Sequence, residues 1–281
     1  MAVRIAHDSY GKSRVRLLKV ARGADRHEVQ DLLISIAFEG EFDAIHQTGD
    51  NSACLPTDTM KNTVYALAGQ MADLEQPEAF GRRLAAHFLE HNAQVSRVRI
   101  ALLENGWQRV RINDQPHDHA FLRGSGEKRT AYVNAAPDEV TVTAGVEGLI
   151  VLKTTRSGFS GFIKDAYTTL PETTDRIFST AIKATWTYAE PDLATADTFT
   201  GIRQSIIQTF AEHDSLSVQH TLYAMGETVL ERFPGVKEIQ FSLPNIHCLP
   251  VDIAKFGLEN RNCIFVPTDE PHGLIEARLT R

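Results

Sequence analysis

Cysteine is scarce in this chain, and the little present carries no pattern. Cys54, Cys248 and Cys263 lie far apart with no CxxC spacing, so neither a disulfide framework nor a zinc knuckle is indicated, and all three read as reduced thiols. No apolar run approaches the roughly 18 residues of a spanning helix. The opening MAVRIAHDSYGK has no apolar stretch of signal-peptide length, so a soluble, cytoplasmic protein without a membrane partner is expected. Basic residues are also in short supply: 29 Lys and Arg against 36 Asp and Glu give a formal charge of −7, and the basic ones are dispersed. That argues against nucleic acid, which needs many phosphate-neutralising side chains on one face. There is no Walker loop, no GxGxxG after a strand, no GxSxG elbow and no Cys–His nucleophile signature. Gly124-Ser125-Gly126 reads as a turn in a basic, polar loop. With no flavin or nicotinamide signature, any redox chemistry has to be the substrate's own.

What is present describes an ordinary globular protein, with 42% hydrophobic and 23% charged residues. At 281 residues, two domains are the better expectation. Residues 14–22 and 27–42 alternate apolar with polar positions and read as paired strands. Val64, Leu67, Ala68 and Met71, then Phe80, Leu84 and Phe88 after Pro77, recur at helical spacing. Segments 95–105 and 106–113 read as strands joined at Asn105-Gly106, a hairpin-turn dipeptide. The second half repeats the order, with strands at 146–155 and 173–188. Helices are marked by Phe199, Ile202, Ile206 and Phe210 and by Leu222, Met225, Val229 and Phe233, before strands at 236–245 and 273–281. Domains of 1–138 and 139–281 follow, each an antiparallel sheet with a helix pair on one face, an α+β plan. Such sheets have open edges; closing several into a ring would cover them, and so would burial under loops.

Individual residues say less. His117-Asp118-His119 on a strand places two imidazoles on one face, as a metal pair or as polar histidines of a loop or interface; no HExxH, CxxC or carboxylate cluster supplies further ligands. Leu55-Pro56-Thr57-Asp58-Thr59 reads as a helix start with side chains able to cap it. Lys12, after Tyr10-Gly11, is a solvated lysine at a strand entrance unless the fold brings it near a threonine and a histidine, where the three make a proton relay.

Five stretches in order, YGKSRVRLLKV (10–20), TDTMKNTVYA (57–66), FSGFIKDAYTTLPETTDRIFST (159–180), SVQHTLY (217–223) and SLPNIH (242–247), resemble the urate oxidase family along nearly the whole chain. The resemblance implies tandem tunnelling-fold domains and a homotetrameric barrel around a tunnel. It also implies sites at subunit interfaces and cofactor-free, metal-free oxidation of urate by O2 and water to 5-hydroxyisourate and hydrogen peroxide. It places the catalytic residues on Lys12, Thr57 and His247, and substrate binding on Asp58, Phe159, Arg176, Val218, Gln219 and Asn245. Phe159 would stack on the purine, Arg176 and Gln219 would meet its polar edges, Val218 would offer a backbone group, and Asn245 would hold O2 or water above the ring. Taken singly, Phe159 also reads as core, Arg176 as a salt-bridge partner and Asn245 as a turn residue.

The chain departs from the family at Ile246, where a basic residue is usual, and at Cys248-Leu249-Pro250, which could alter the strand after His247. Its end, Leu279-Thr280-Arg281, lacks a peroxisomal tail. Two other readings stand beside the first: a metal-dependent pterin or purine-ring enzyme of the same fold, and a non-catalytic purine-binding scaffold.

Overall fold

The computed structural model describes residues 3–281. The elements run β1 (Tyr10–Arg22), β2 (His27–Gly40), α1 (Asp43–Gln47), α2 (Thr57–Gln70), α3 (Pro77–His91), β3 (Val95–Ile112), β4 (Gln115–Ala136), β5 (Glu139–Lys153), β6 (Phe178–Tyr188), α4 (Ala196–Glu212), α5 (Val218–Arg232), β7 (Val236–Pro250), β8 (Phe265–Thr268) and β9 (Leu274–Thr280). They fall into two compact units, Met1–Gly145 with Thr187–Ala196, and Val146–Trp186 with Asp197–Arg281. Strand β5 begins in the first and ends in the second. In both units the expected order of two strands, two main helices and two strands is present.

In the first unit the antiparallel ladder runs β1-β2-β3-β4. Period-two alternation decides which face is covered, because successive side chains of a strand point to opposite sides. Leu32, Ile34, Ile36 and Phe38 of β2, Val98, Ile100 and Leu102 of β3, and Ala131, Val133 and Ala135 of β4 are all buried. Against them lie Met60 and Val64 of α2 and Phe80, Leu84 and Phe88 of α3. Gly81 lets α3 approach the sheet closely, for a Cβ there would stand 2.8 Å from Leu102 and 2.9 Å from Val133. Helix α2 is laced to β1 along its length: Tyr65 donates its hydroxyl to the Arg16 carbonyl at 3.1 Å, and the Lys19 ammonium donates to the Ala68 carbonyl at 2.7 Å and to Met71. Those carbonyls belong to the last turn of α2, which has no following residues to satisfy them and carries partial negative charge.

One carboxylate ties this ladder together. Asp31 on β2 is buried, with its side chain only 3% exposed. It accepts from Arg16 of β1 at 2.7 Å, from Asn105 and Trp107 of β3 at 3.2 and 3.3 Å, and from Arg123 of β4 at 3.2 Å.

Two readings from the sequence are corrected here. Asn105-Gly106 is not a turn: the Asn105 amide is engaged by Asp31, β3 continues to Ile112, and the chain reverses at Asn113 and Asp114, both at positive φ (50° and 61°). The Gly124-Ser125-Gly126 cluster is likewise no loop. It lies inside β4 where the register slips, so that residues 124–127 face only Gly106.

The second unit repeats the design. Ile182, Ala184 and Trp186 of β6 and Ile239, Phe241 and Leu243 of β7 are buried with Ile202, Ile206 and Phe210 of α4 and Leu222, Met225 and Val229 of α5. Trp186 packs on Phe199 at 5.6 Å and Phe178 on Phe210 at 5.1 Å. Strand β7 pairs first with β9, from Glu238↔Thr280 to Pro244↔Leu274, and then with β8, from His247↔Thr268 to Pro250↔Phe265. Strand β6 starts at Phe178 rather than 173, because residues 173–176 are spent on the loop that carries Phe159. Among the described residues no helix is long and apolar enough to cross a membrane.

The role given to Asp31 sets an expected cost. Asp31→Ala should lower unfolding free energy by about 2–3 kcal/mol, measured by urea titration at fixed protein concentration. Loss of a fully buried pair costs about 3–5 kcal/mol, but Arg16 and Arg123 are 60% and 53% exposed and can return to water, leaving chiefly the buried Asn105 amide unsatisfied. An unchanged midpoint would show that the ladder does not depend on this carboxylate.

Candidate functional site

Each unit carries its own share of the residues singled out in the sequence. In the first unit they gather where β1 enters the sheet beside the start of α2. Gly11 lies so close to β2 that a Cβ there would sit 1.9 Å from the Ile36 carbonyl oxygen. Lys12 follows, opposite Ile36.

Thr57 opens α2, but the start differs in detail from expectation. Pro56 occupies the N-cap, and no side chain caps the helix. The first N–H groups of α2 are therefore left for solvent or a bound group, at the positive end of the helix. Asp58, exposed, accepts from Lys61 and from Asn62 of the same helix, the latter at 3.0 Å. Lys61 chiefly, with a smaller part from Lys12, holds its carboxyl below the usual range.

In the second unit the loop between β5 and β6 folds on itself. Phe159 and Thr173 exchange backbone hydrogen bonds at 2.7 and 3.0 Å, Gly158 N–H donates to the Ser215 carbonyl at 2.8 Å, and Arg176 N–H to the Ser157 carbonyl at 2.7 Å. The result sets the Arg176 guanidinium over the Phe159 ring at 5.4 Å, with Phe162 stacked on that ring at 4.8 Å. Arg176 is half-buried, and its pKa is lowered by desolvation, with no charged neighbour among the described residues contributing. The nearby Asp175 carboxylate accepts instead from Thr155 at 2.8 Å. The salt-bridge reading of Arg176 is thus not what is found, and Phe159 is a partly exposed loop residue rather than core.

Val218 and Gln219 are the first two residues of α5, capped by Ser217, whose hydroxyl accepts from His220 N–H at 3.1 Å. That bond serves the third position, so the N–H groups of Val218 and Gln219 have no partner within the helix. The Val218 side chain is buried and that of Gln219 exposed.

Asn245 and His247 lie two apart on β7, on one face of the strand, at the point where β7 exchanges β9 for β8. The Asn245 amide nitrogen is 3.5 Å from His247 Nδ1, and Asn245 N–H donates to the Gly273 carbonyl at 2.8 Å. Asn245 is a strand residue rather than part of a turn. The strand also persists through Cys248, Leu249 and Pro250.

His117 and His119 are adjacent on one face of β4, rings 4.5 Å apart, with His119 N–H donating to His117 Nδ1 at 3.3 Å. His27 stands 6.1 Å from His119. Among the described residues no three His, Cys, Asp or Glu side chains are placed to hold a metal ion.

One residue beside the site escaped the sequence reading. Tyr10 accepts the Leu55 N–H on its hydroxyl at 3.0 Å, joining the strand of Lys12 to the segment before Thr57. Its signal in the sequence was its place at the head of the block YGKSRVRLLKV, two residues ahead of Lys12.

Similarity to known proteins extends over nearly the full chain. Residues 8–134 and 142–276 match the family model of uricase. The chain is 44% identical over 277 residues to the uricase of Arthrobacter globiformis, covering 99% of this chain and 90% of that protein. It is 37% identical over 275 residues to the uricase of Dictyostelium discoideum, covering 97% and 96%. The crystal structure of the Arthrobacter globiformis enzyme superposes with a TM-score of 0.95, covering 100% of this chain and 96% of that one. Identity at this level over both units, on a matching fold and with the five sequence blocks in order, shows that this chain belongs to the uricase family.

Proposed function

We propose that this protein oxidises urate with O2 and water to 5-hydroxyisourate and hydrogen peroxide, drawing on no metal or organic cofactor. The observation that carries the reading is the Arg176 guanidinium held over the Phe159 ring with no carboxylate partner among the described residues. A desolvated, uncompensated cation beside an aromatic face is costly by itself and suits a flat anion. Urate, an anionic purine with three carbonyls and N–H groups on its edges, has that shape and charge. Phe159 offers it a stacking face, Arg176 a planar pair of donors, and Gln219 an amide, with the free N–H of Val218 at the positive end of α5.

The chemistry asks for proton handling. Urate gives up two electrons to O2, water adds to the ring carbon, and the protons released end on peroxide. Lys12 and Thr57 are the pair we assign to collecting a proton from the substrate, with Asp58 a further urate contact beside them. His247 moves a proton during the peroxide step, and Asn245, beside it, holds O2 or water above the ring.

Lys12, Thr57 and Asp58 come from the first unit and the remaining site residues from the second. We propose that the two sets complete each site between subunits of a homotetramer in the cytoplasm. We also take the boundary between the repeats to lie at the Pro137-Asp138 turn before β5.

The direct test follows the loss of urate ultraviolet absorbance together with O2 uptake and peroxide release in metal-free buffer. Equal amounts of the three are expected. Absence of urate loss, or activity that appears only on adding a metal, would overturn the reading.

Arg176→Lys should weaken an unreactive urate analogue by roughly ten- to a hundredfold in inhibition constant, because a compact ammonium cannot copy the forked donor. Loss of one charge-assisted hydrogen bond in a desolvated site costs about 1.5–3 kcal/mol. Similar constants for both proteins would remove Arg176 from substrate binding. Lys12→Met should lower kcat by about 10²–10⁴-fold with little change in analogue binding, checked by steady-state kinetics. Specific activity should also fall on dilution as the assembly separates, and a monomer that sediments alone with full activity would contradict shared sites.

A further inference from the structure

A lysine that must meet a threonine within hydrogen-bond reach has a difficulty of its own, since its long flexible stem loses much freedom on being held in one place. The backbone beneath it then has to be fixed closely. We propose that Tyr10 and Ser35 are positioning residues that hold the strand on either side of Lys12 and so set where its ammonium lies relative to Thr57. The inference rests on the proton relay assigned above and adds to it two residues that touch neither substrate nor the reacting atoms.

Before Lys12, the Tyr10 ring is fixed edge-on between Phe38 at 5.9 Å and Phe42 at 4.8 Å, and both of those rings are buried. Its hydroxyl accepts the Leu55 N–H at 3.0 Å. That bond joins β1, two residues before Lys12, to the chain two residues before Thr57. Burial first, and then Cys54, push the phenol pKa up to about 12, so near neutrality it is a neutral anchor rather than a base. Between Tyr10 and Lys12, Gly11 lets β1 close onto the Ile36 carbonyl, where any Cβ would collide.

After Lys12 the ladder breaks. Lys12 pairs with Ile36, pairing resumes at Val15 with Ile34, and Ser13 and Arg14 together face Ser35. A bulge of this kind re-aims the side chains beside it. Arg14 carries the left-handed conformation, φ 61°, which a residue with a Cβ adopts at a cost. The irregularity is held by Ser35, whose hydroxyl accepts the Arg14 N–H at 3.1 Å in place of a ladder carbonyl. Lys12 is therefore bracketed by an aromatic tie to the α2 entrance and by a hydroxyl that secures the bulge. The Lys12 ammonium lies near enough to Asp58, in the first turn of α2, to add to the lowering of its pKa.

Tyr10→Phe keeps the packed ring and deletes only the anchoring oxygen; Ser35→Ala deletes only the bulge acceptor, and Ser35→Thr returns it. With urate as substrate, Tyr10→Phe and Ser35→Ala should each lower kcat about tenfold, as small misplacements of a catalytic group do. KM and the inhibition constant of an unreactive urate analogue should stay within about twofold. The acidic limb of the kcat–pH profile should move, and Ser35→Thr should recover most of the loss. Combined with Lys12→Met, neither change should lower kcat further, because residues acting through one group are non-additive. Wild-type kcat in both variants, beside an inactive Lys12→Met, would overturn the positioning role and leave the relay standing. The same fold loss on the Lys12→Met background would show that these residues act elsewhere and would overturn it too. Full turnover by Lys12→Met would remove the relay and this inference with it. Should Tyr10→Phe fail to fold, the Ser35→Ala and Ser35→Thr pair decides the matter alone.

Discussion

A carboxylate taken out of water has to be surrounded by donors, and in the first unit that requirement organises four strands at once. Asp31 draws Arg16, Asn105, Trp107 and Arg123 to a single point. Because side chains alternate across a sheet, a slip of one residue in any of these strands would turn its donor to the opposite face. The apolar face that receives α2 and α3 is thereby fixed, and so is the edge from which Lys12 projects. The hydrophobic pattern decides which face is covered, and the buried charge decides the register in which it is covered.

The element order was legible because its signals are local and periodic. Leu32, Ile34, Ile36 and Phe38 announce a strand, and Phe80, Leu84 and Phe88 a helix, whatever surrounds them. The turn was misread for the opposite reason. Asn105-Gly106 has the composition of a hairpin turn, but its partner Asp31 lies 74 residues away, and no window along the chain reveals that a distant carboxylate will claim the amide. The same holds for Gly124-Ser125-Gly126, which lies within β4 where the register slips past Gly106 rather than in a turn.

The candidate site shows the same division. Composition and spacing gave Lys12, Thr57, Phe159, Arg176 and Asn245 no privilege over ordinary loop and strand residues, and it was the resemblance of five ordered blocks that singled them out. Structure then supplied what the blocks could not: the guanidinium over the ring, the helix start that no side chain caps, and the proximity of Asn245 to His247. Tyr10 and Ser35 stayed hidden because their roles are played through backbone N–H groups, and a partner of that kind leaves no mark on residue type.

The exchange of partners along β7 bears on how the sequence is free to vary. Asn245 and His247 share a face, so Ile246 and Cys248 lie on the reverse of the same strand. With β9 holding the strand before the junction and β8 holding it after, hydrogen bonds to two separate neighbours, rather than the identity of the intervening side chains, keep the pair in place. Side chains at 246 and 248 can therefore change the back of the strand while the backbone bonds on either side of the junction hold the amide and imidazole in front.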